Sequence, residues 1–327
     1  MNNAMKKAKH QFKLSTQIRQ RNSKKLLFYI VILALLVYAV MPKFHQLVLG
    51  VKNIRDADFN WILVAFMAII MTHCAAALVY VILAKHPIKY FKTLAVQLAA
   101  SFTNRLLPSG IGGISLFIDY LIKKGHKPSE ATSVTAMNSV VAITSHLTLL
   151  ISALFIGHSS FMAVINGRSI SARTLIILTI LLLFVFIILV RRKPLRRKVF
   201  RLIKDIWSNI LEYRYHPFRV FGGIVTATAI TAAYAIAFYA SSHAMGLQLS
   251  MIQAFLIFTV GTVLGAAVLT PGGLGGVEAG LIAGIIAYHF DISLAFAAVI
   301  IYRFITFWLP IIPGYVAFWI LRHTRTV

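Results

Sequence analysis

Two long apolar stretches of this chain are each interrupted by the same proline–glycine motif. Leu107-Pro108-Ser109-Gly110-Ile111-Gly112-Gly113-Ile114-Ser115 returns as Thr270-Pro271-Gly272-Gly273-Leu274-Gly275-Gly276-Val277-Glu278. Proline and clustered glycine break a helix. Hydrocarbon cannot satisfy the backbone groups that a break frees, so a break survives only where protein buries it or where it lines a polar cavity. Matched breaks in the two halves of a chain point to a transport site built from internal repeats.

The surroundings of the motif fit that reading. Hydrophobic residues make up 59% of the 327 residues and charged residues 13%, about half the charged share of a soluble domain. The chain therefore reads as an all-α integral membrane protein. Cys74 stands alone, so no intrachain disulfide can form, and it reads as a small core residue. A net charge of +25 would suit nucleic acid, but the basic residues form short clusters beside apolar segments. That is the pattern of membrane topology and of contact with anionic lipid. There is no basic groove interleaved with aromatic residues, so nucleic acid is not an expected partner.

Apolar segments lie at about 26–41, 59–84, 93–122, 129–157, 172–190, 218–245, 251–288 and 293–321. Six have the length of a full crossing. The other two, 93–122 and 251–288, carry the breaks and read as re-entrant hairpins or pairs of short spans. Residues 1–25 form a basic segment with eight Lys/Arg and no acid, and 26–41 reads as an uncleaved first span rather than a signal peptide. With a cytoplasmic N-terminus, 26 Lys/Arg fall on the inner side and five outside (Lys43, Lys52, Arg55, Arg168 and Arg173). The positive-inside rule then places both termini in the cytoplasm, with the protein in the cell membrane, the inner membrane of a bacterial-type cell.

Each half reads as span, span, broken hairpin, span: 26–163 and 172–323. Three full crossings per half turn the second half upside down, which is an inverted repeat with its site between the two breaks. Between the halves, 191–217 reads as a basic amphipathic helix on the cytoplasmic surface. Leu195, Val199, Leu202, Ile206 and Leu211 fall on one face, with Arg197, Arg201, Lys204 and Asp205 on the other.

Charged residues at membrane depth are costly and usually functional. Here they are Arg105, Asp119, Glu278 and Arg303, with Glu130 nearer an interface. Glu278 sits where a helix restarts after the second break, a position that favours anions. It either neutralises that helix start or holds an amine or a proton. Ser115 is its counterpart in the first half, expected at a helix start after Gly113 that would accept phosphate. Arg303 shares a face with Thr306, Phe307 and Pro310, and Glu278 is its natural partner. The alternative for Arg303 is a lipid phosphate. Arg105 and Asp119 form a similar pair of candidates in the first half. His73, His146 and His243 read as hydrogen-bonded core groups, since none has metal-ligand spacing. Thr103, Asn104, Asn138, Ser139, Thr144 and Ser145 give the first half a polar lining, and Gly261, Gly265 and Ala266 mark close packing. No enzyme motif, cofactor fingerprint or metal site is present in the sequence.

The stretch Pro271-Gly272-Gly273-Leu274-Gly275-Gly276-Val277-Glu278-Ala279-Gly280, followed by Tyr302-Arg303 and Pro310, resembles the signature of the lysylphosphatidylglycerol synthase transmembrane-region family. Pro108 to Gly113 resembles its first-half counterpart, and the similarity covers about 26–321. The resemblance carries Pro271, Gly272, Gly273, Gly275, Glu278, Tyr302 and Arg303 as motif positions, with Arg105, Pro108 and Gly110 beside them. In the multiple peptide resistance factors, this region is similar to a flippase joined to a cytosolic domain. That domain lysylates phosphatidylglycerol and so repels cationic antimicrobial peptides. The present sequence stops at Val327, just after the last span, so the resemblance does not extend to the lysyltransferase domain and no catalytic residue is expected.

The resulting expectation is a lipid translocator for an anionic or aminoacylated phospholipid, lysylphosphatidylglycerol being the example the resemblance implies. Substrate contacts fall to Arg105, Ser115, Asp119, Glu278, Tyr302 and Arg303. The break residues are Pro108, Gly110, Gly112, Gly113, Pro271, Gly272, Gly273, Gly275 and Gly276. The alternatives are a membrane subunit of a phosphatidylglycerol lysyltransferase system, served by a separate synthase or energising chain, and a transporter of another lipid-linked amphiphile.

Overall fold

The computed structural model describes residues 54–106, 111–156, 213–266, 271–324 and 326. These belong to one compact unit, 50–327. The expected spans at 26–41 and 172–190, the basic segment 1–25, nearly all of the amphipathic linker, and Pro108 and Gly110 lie outside the described residues.

All regular structure among the described residues is helical. The helices are α1 (Phe59–Leu83), α2 (Tyr90–Leu106), α3 (Ile111–Lys123), α4 (Pro128–Ile156), α5 (Pro217–Ala244), α6 (Met251–Ala266), α7 (Gly276–Ala287), α8 (Ile292–Arg303) and α9 (Ile311–His323). Helices α8 and α9 run on through a π-helical turn, Phe304–Trp308. Four runs are long and apolar enough to cross a bilayer: α1, α4, α5 and the continuous Ile292–His323. The order long helix, broken pair, long helix thus occurs twice, at the boundaries expected from hydropathy. At about 1.5 Å per residue, α3 and α7 rise only about 20 Å, short of a hydrocarbon core of about 30 Å. Neither helix is long enough to cross that core by itself.

Helix ends follow local chemistry. Asp58 caps α1 by accepting from Asn60 N–H at 2.8 Å, and Asp291 caps α8 through Ser293 and Leu294 N–H. Ser250 and Gln253 form a reciprocal capping box at α6. Gly125 and Gly246, both at positive φ, close α3 and α5. In each case the N–H one residue later bonds back five positions, His126 to Leu121 and Leu247 to Ser242.

Packing interleaves the two halves. Helix α1 lies against α5, α2 against α9, and α6 against both its hairpin partner α7 and α4. The hairpin α6–α7 is drawn tight by glycine: a Cβ on Gly280 would stand 2.7 Å from the Gly261 carbonyl oxygen. Two apolar cores result. One is centred on Phe238, Leu281 and Ile285, the other on Leu83, Phe117 and Leu121. Outward faces carry large apolar side chains such as Phe66, Met67, Ile151 and Phe221, as a lipid-facing surface requires.

Candidate functional site

Pro310 organises the site. It has no N–H to offer the carbonyl four residues back, Thr306, and its ring crowds that carbonyl. The chain responds with the π-turn, in which Leu309 N–H bonds to Phe304 O at 2.8 Å. The Thr306 carbonyl is thereby released, and Arg105 Nη2, at the end of α2, donates to it at 2.8 Å. Arg105 Nη1 returns to Ser101 O on its own helix at 2.5 Å. Its Nε is buried with no hydrogen-bond partner.

One turn earlier on α8, Arg303 Nε donates to Glu278 Oε1 at 2.6 Å, and Arg303 Nη2 donates to Gly272 O at 3.1 Å. The other carboxylate oxygen of Glu278 accepts from Gly275 N–H at 2.8 Å, as a capping-box residue does at the third helical position. Both oxygens of Glu278 are therefore engaged within the protein. Gly272, Gly273 and Gly275 all have φ between 62° and 84°. A Cβ on Gly272 would collide with the Phe307 ring. Phe307 in turn has the guanidinium carbon of Arg303 at 4.8 Å and that of Arg105 at 5.4 Å from its centroid.

Arg105, Gly272, Arg303, Thr306 and Phe307 wall a cavity of about 370 Å³. Its polar lining is His73, Gln97, Ser101, Asn104, Arg105, Thr262, Arg303 and Thr306, and its aromatic lining is Tyr234, Phe258, Tyr302 and Phe307. A second cavity of about 340 Å³ shares Gln97 and Asn104 and adds Tyr80, Asn138 and Thr231. A third, of about 400 Å³, is apolar and bounded by α1, α2 and the π-turn, with Ile69, Leu98 and Leu309 in its walls. His73 borders both this apolar cavity and the first polar one.

Four of the six candidate contact residues come together here: Arg105, Tyr302 and Arg303 on the cavity wall, and Glu278 behind Arg303. Ser115 and Asp119 do not; both are exposed on α3. The reason is that α3 begins at Ile111, before Gly112 and Gly113, rather than after them. Neither glycine takes a positive φ, so Ser115 is the fifth residue of the helix and too far along to cap it. The capping role falls to Asn104, whose Oδ1 accepts from Gly113 N–H at 2.6 Å. Gly113 is small so that Asn104 can approach: a Cβ there would meet the carboxamide at 2.6 Å. In the second half, Gly276 does start α7 as expected.

The histidines divide. His243 Nδ1 lies 3.2 Å from Tyr239 O, and its ring leans at 46° against Trp61. His73 and His146 each leave a buried Nε2 without a partner, although the His146 ring also hydrogen-bonds the Thr259 backbone. Gln97, Tyr234 and Thr262 also line the polar cavity; Gln97 stands at i, i+4 and i+8 with Ser101 and Arg105 on α2, a spacing that could have found it, whereas Tyr234 and Thr262 lie on other helices and carry no such signal.

A search of curated proteins gave no match. The family model for the lysylphosphatidylglycerol synthase TM region matches residues 26–314, which takes in every element that walls the cavity. The chain belongs to the lysylphosphatidylglycerol synthase TM region family.

Proposed function

We propose that this protein moves a phospholipid between leaflets, binding the headgroup phosphate between Arg105 and Arg303. The observation that carries this reading is the convergence of two guanidinium groups from opposite halves on one polar cavity, one of them with an unsatisfied buried Nε. A buried donor without an acceptor costs about 1–3 kcal/mol, and a phosphate oxygen would satisfy it. Arginine suits phosphate because its planar fork pairs two oxygens at once. The repeated order of helices supports an inverted repeat of about six full spans and two broken hairpins, re-entrant or short-span, and the Lys/Arg distribution supports cytoplasmic termini in the cell membrane with the segment 191–217 on its inner surface. Rocking of one half against the other would expose the cavity to each side in turn. Glu278 then serves by holding Arg303 in place, and Tyr302 by closing the cavity floor.

The test is leaflet-resolved translocation of phospholipid in proteoliposomes of the purified chain. Arg105→Gln and Arg303→Gln are each expected to slow movement about tenfold or more, from the loss of one charge-assisted hydrogen bond. Unchanged rates in folded variants would overturn the assignment. The family's description as part of a synthase favours one second reading, a membrane subunit that presents lipid to a separate transferase. That reading predicts no translocation by the purified chain, and lipid modification only when a partner is added.

A further inference from the structure

Resting on the reading above, we propose that the headgroup is a phosphodiester carrying a neutral, hydroxyl-rich group rather than an aminoacylated one. The argument starts from charge. The whole chain contains eight acidic residues, and the described ones are occupied or remote. Asp58 and Asp291 cap helices, and Glu130 accepts from Lys127 N–H at the start of α4. Asp56 and Asp119 are exposed, and Glu278 has both oxygens engaged. Among the described residues, no carboxylate lines either polar cavity. An ammonium headgroup would lose its hydration with no free carboxylate to meet it and would sit beside Arg105, a charge of its own sign, while the carboxylate nearest the cavity is already spent on Arg303.

Aromatic rings do not replace the missing carboxylate. Phe258, Tyr302 and Phe307 are buried. Tyr302 packs edge-on against Phe238 and Phe258, and Phe307 is already beside both guanidinium groups. Tyr234, half-buried, stacks on Phe258, so no open cage is left for an ammonium.

What the second cavity does offer is neutral hydrogen bonding next to the arginines. Gln97 makes no hydrogen bond among the described residues, and it walls both cavities with Asn104. The Asn104 carbonyl is held by Gly113 N–H, which leaves its amide nitrogen to donate. Beyond them, Asn138 donates to the Tyr80 hydroxyl at 3.3 Å and keeps its own carbonyl as an acceptor. Carboxamides that can both donate and accept suit hydroxyl groups, which do the same. With phosphate between Arg105 and Arg303, a glycerol or cyclic polyol on its far side reaches Gln97 and Asn104 first, then Asn138.

The experiment measures binding to the delipidated full-length chain in neutral detergent, by native mass spectrometry and thermal shift. The probes are dioleoyl forms of phosphatidylglycerol, phosphatidylinositol, phosphatidic acid and lysylphosphatidylglycerol, with free glycerol 1-phosphate as the soluble control. Phosphatidylglycerol or phosphatidylinositol should bind about tenfold tighter than phosphatidic acid, and at least that much tighter than the lysylated lipid. Asn138→Ala, in the second cavity only, should erase the first difference while leaving phosphatidic acid binding unchanged, an internal sign that the variant folds. Asn138→Asp should raise binding of the lysylated lipid. Equal or tighter binding of the lysylated lipid by the unmodified chain would overturn this inference and leave the lipid reading intact. Failure of every anionic lipid to bind would overturn both. Glycerol 1-phosphate binding as tightly as phosphatidylglycerol would support the headgroup chemistry and overturn its assignment to a lipid.

Discussion

The Glu278–Arg303 contact combines structural and functional work in one pair of side chains. Their side chains are 26% and 12% exposed, so the pair is largely, not wholly, shielded from solvent. Removing one member leaves the other charged in a poorly hydrated place, which costs more than removing both. In a double-mutant cycle, Glu278→Ala and Arg303→Ala should couple by about 1–3 kcal/mol in thermal or denaturant stability. A coupling near zero would mean that the pair contributes nothing to the fold. Residue types at membrane depth made this pair legible from sequence, because an isolated buried arginine needs a partner and only a few carboxylates were available. The cavity partners His73 and Tyr234 were not legible, because they lie on other helices and only the tertiary arrangement brings them to the cavity of Arg105. Gln97 shares a face of α2 with Ser101 and Arg105 at i, i+4 and i+8, a spacing that does carry a signal.

At the scale of elements, the π-turn is the device that ties α2 to α8. Pro310→Ala restores an N–H to the ladder and allows Thr306 O to return to a helical bond. We expect the variant to keep or gain helix stability while anionic lipid binding falls, because Arg105 loses its acceptor. Retained binding in Pro310→Ala would show that Arg105 is positioned by other contacts. A second element-level prediction concerns the turn between α3 and α4. His126 Nε2 accepts from His86 N–H at 3.2 Å while its Nδ1 faces Leu121 O at 3.1 Å, an arrangement that needs the neutral ring. Burial pushes its pKa below the usual 6.5, with His86 and Lys85 adding to the effect and the Leu121 carbonyl and Glu130 opposing it. Because the folded pKa is depressed, the unfolded chain binds the extra proton first. Stability is then full above about pH 6.5 and falls as the pH drops below it. A melting series from pH 7.5 to 5 should show the decline, and His126→Gln should flatten it. Element boundaries followed sequence well where proline, glycine or a cap residue marked them. The start of α3 did not, because Gly112 and Gly113 suggested a break whereas both are helical and Gly113 serves close approach by Asn104.

For the molecule as a whole, charge asymmetry predicts sidedness. In a Cys74→Ala background, Lys127→Cys in the α3–α4 turn should label with an impermeant thiol reagent only after cells are opened. Gln248→Cys between α5 and α6 should label in intact cells. The opposite pattern would invert the proposed orientation. Reciprocal packing of α2 on α9 and of α6 on α4 has a further consequence for biosynthesis. The carbonyl that receives Arg105 lies 201 residues downstream. At about 5–20 residues per second, the first hairpin leaves the ribosome some 10–40 s before its shield exists. Through that interval its broken backbone and buried arginine must be sheltered by the insertion machinery or by water at the membrane surface. Neither half should therefore accumulate when expressed without the other.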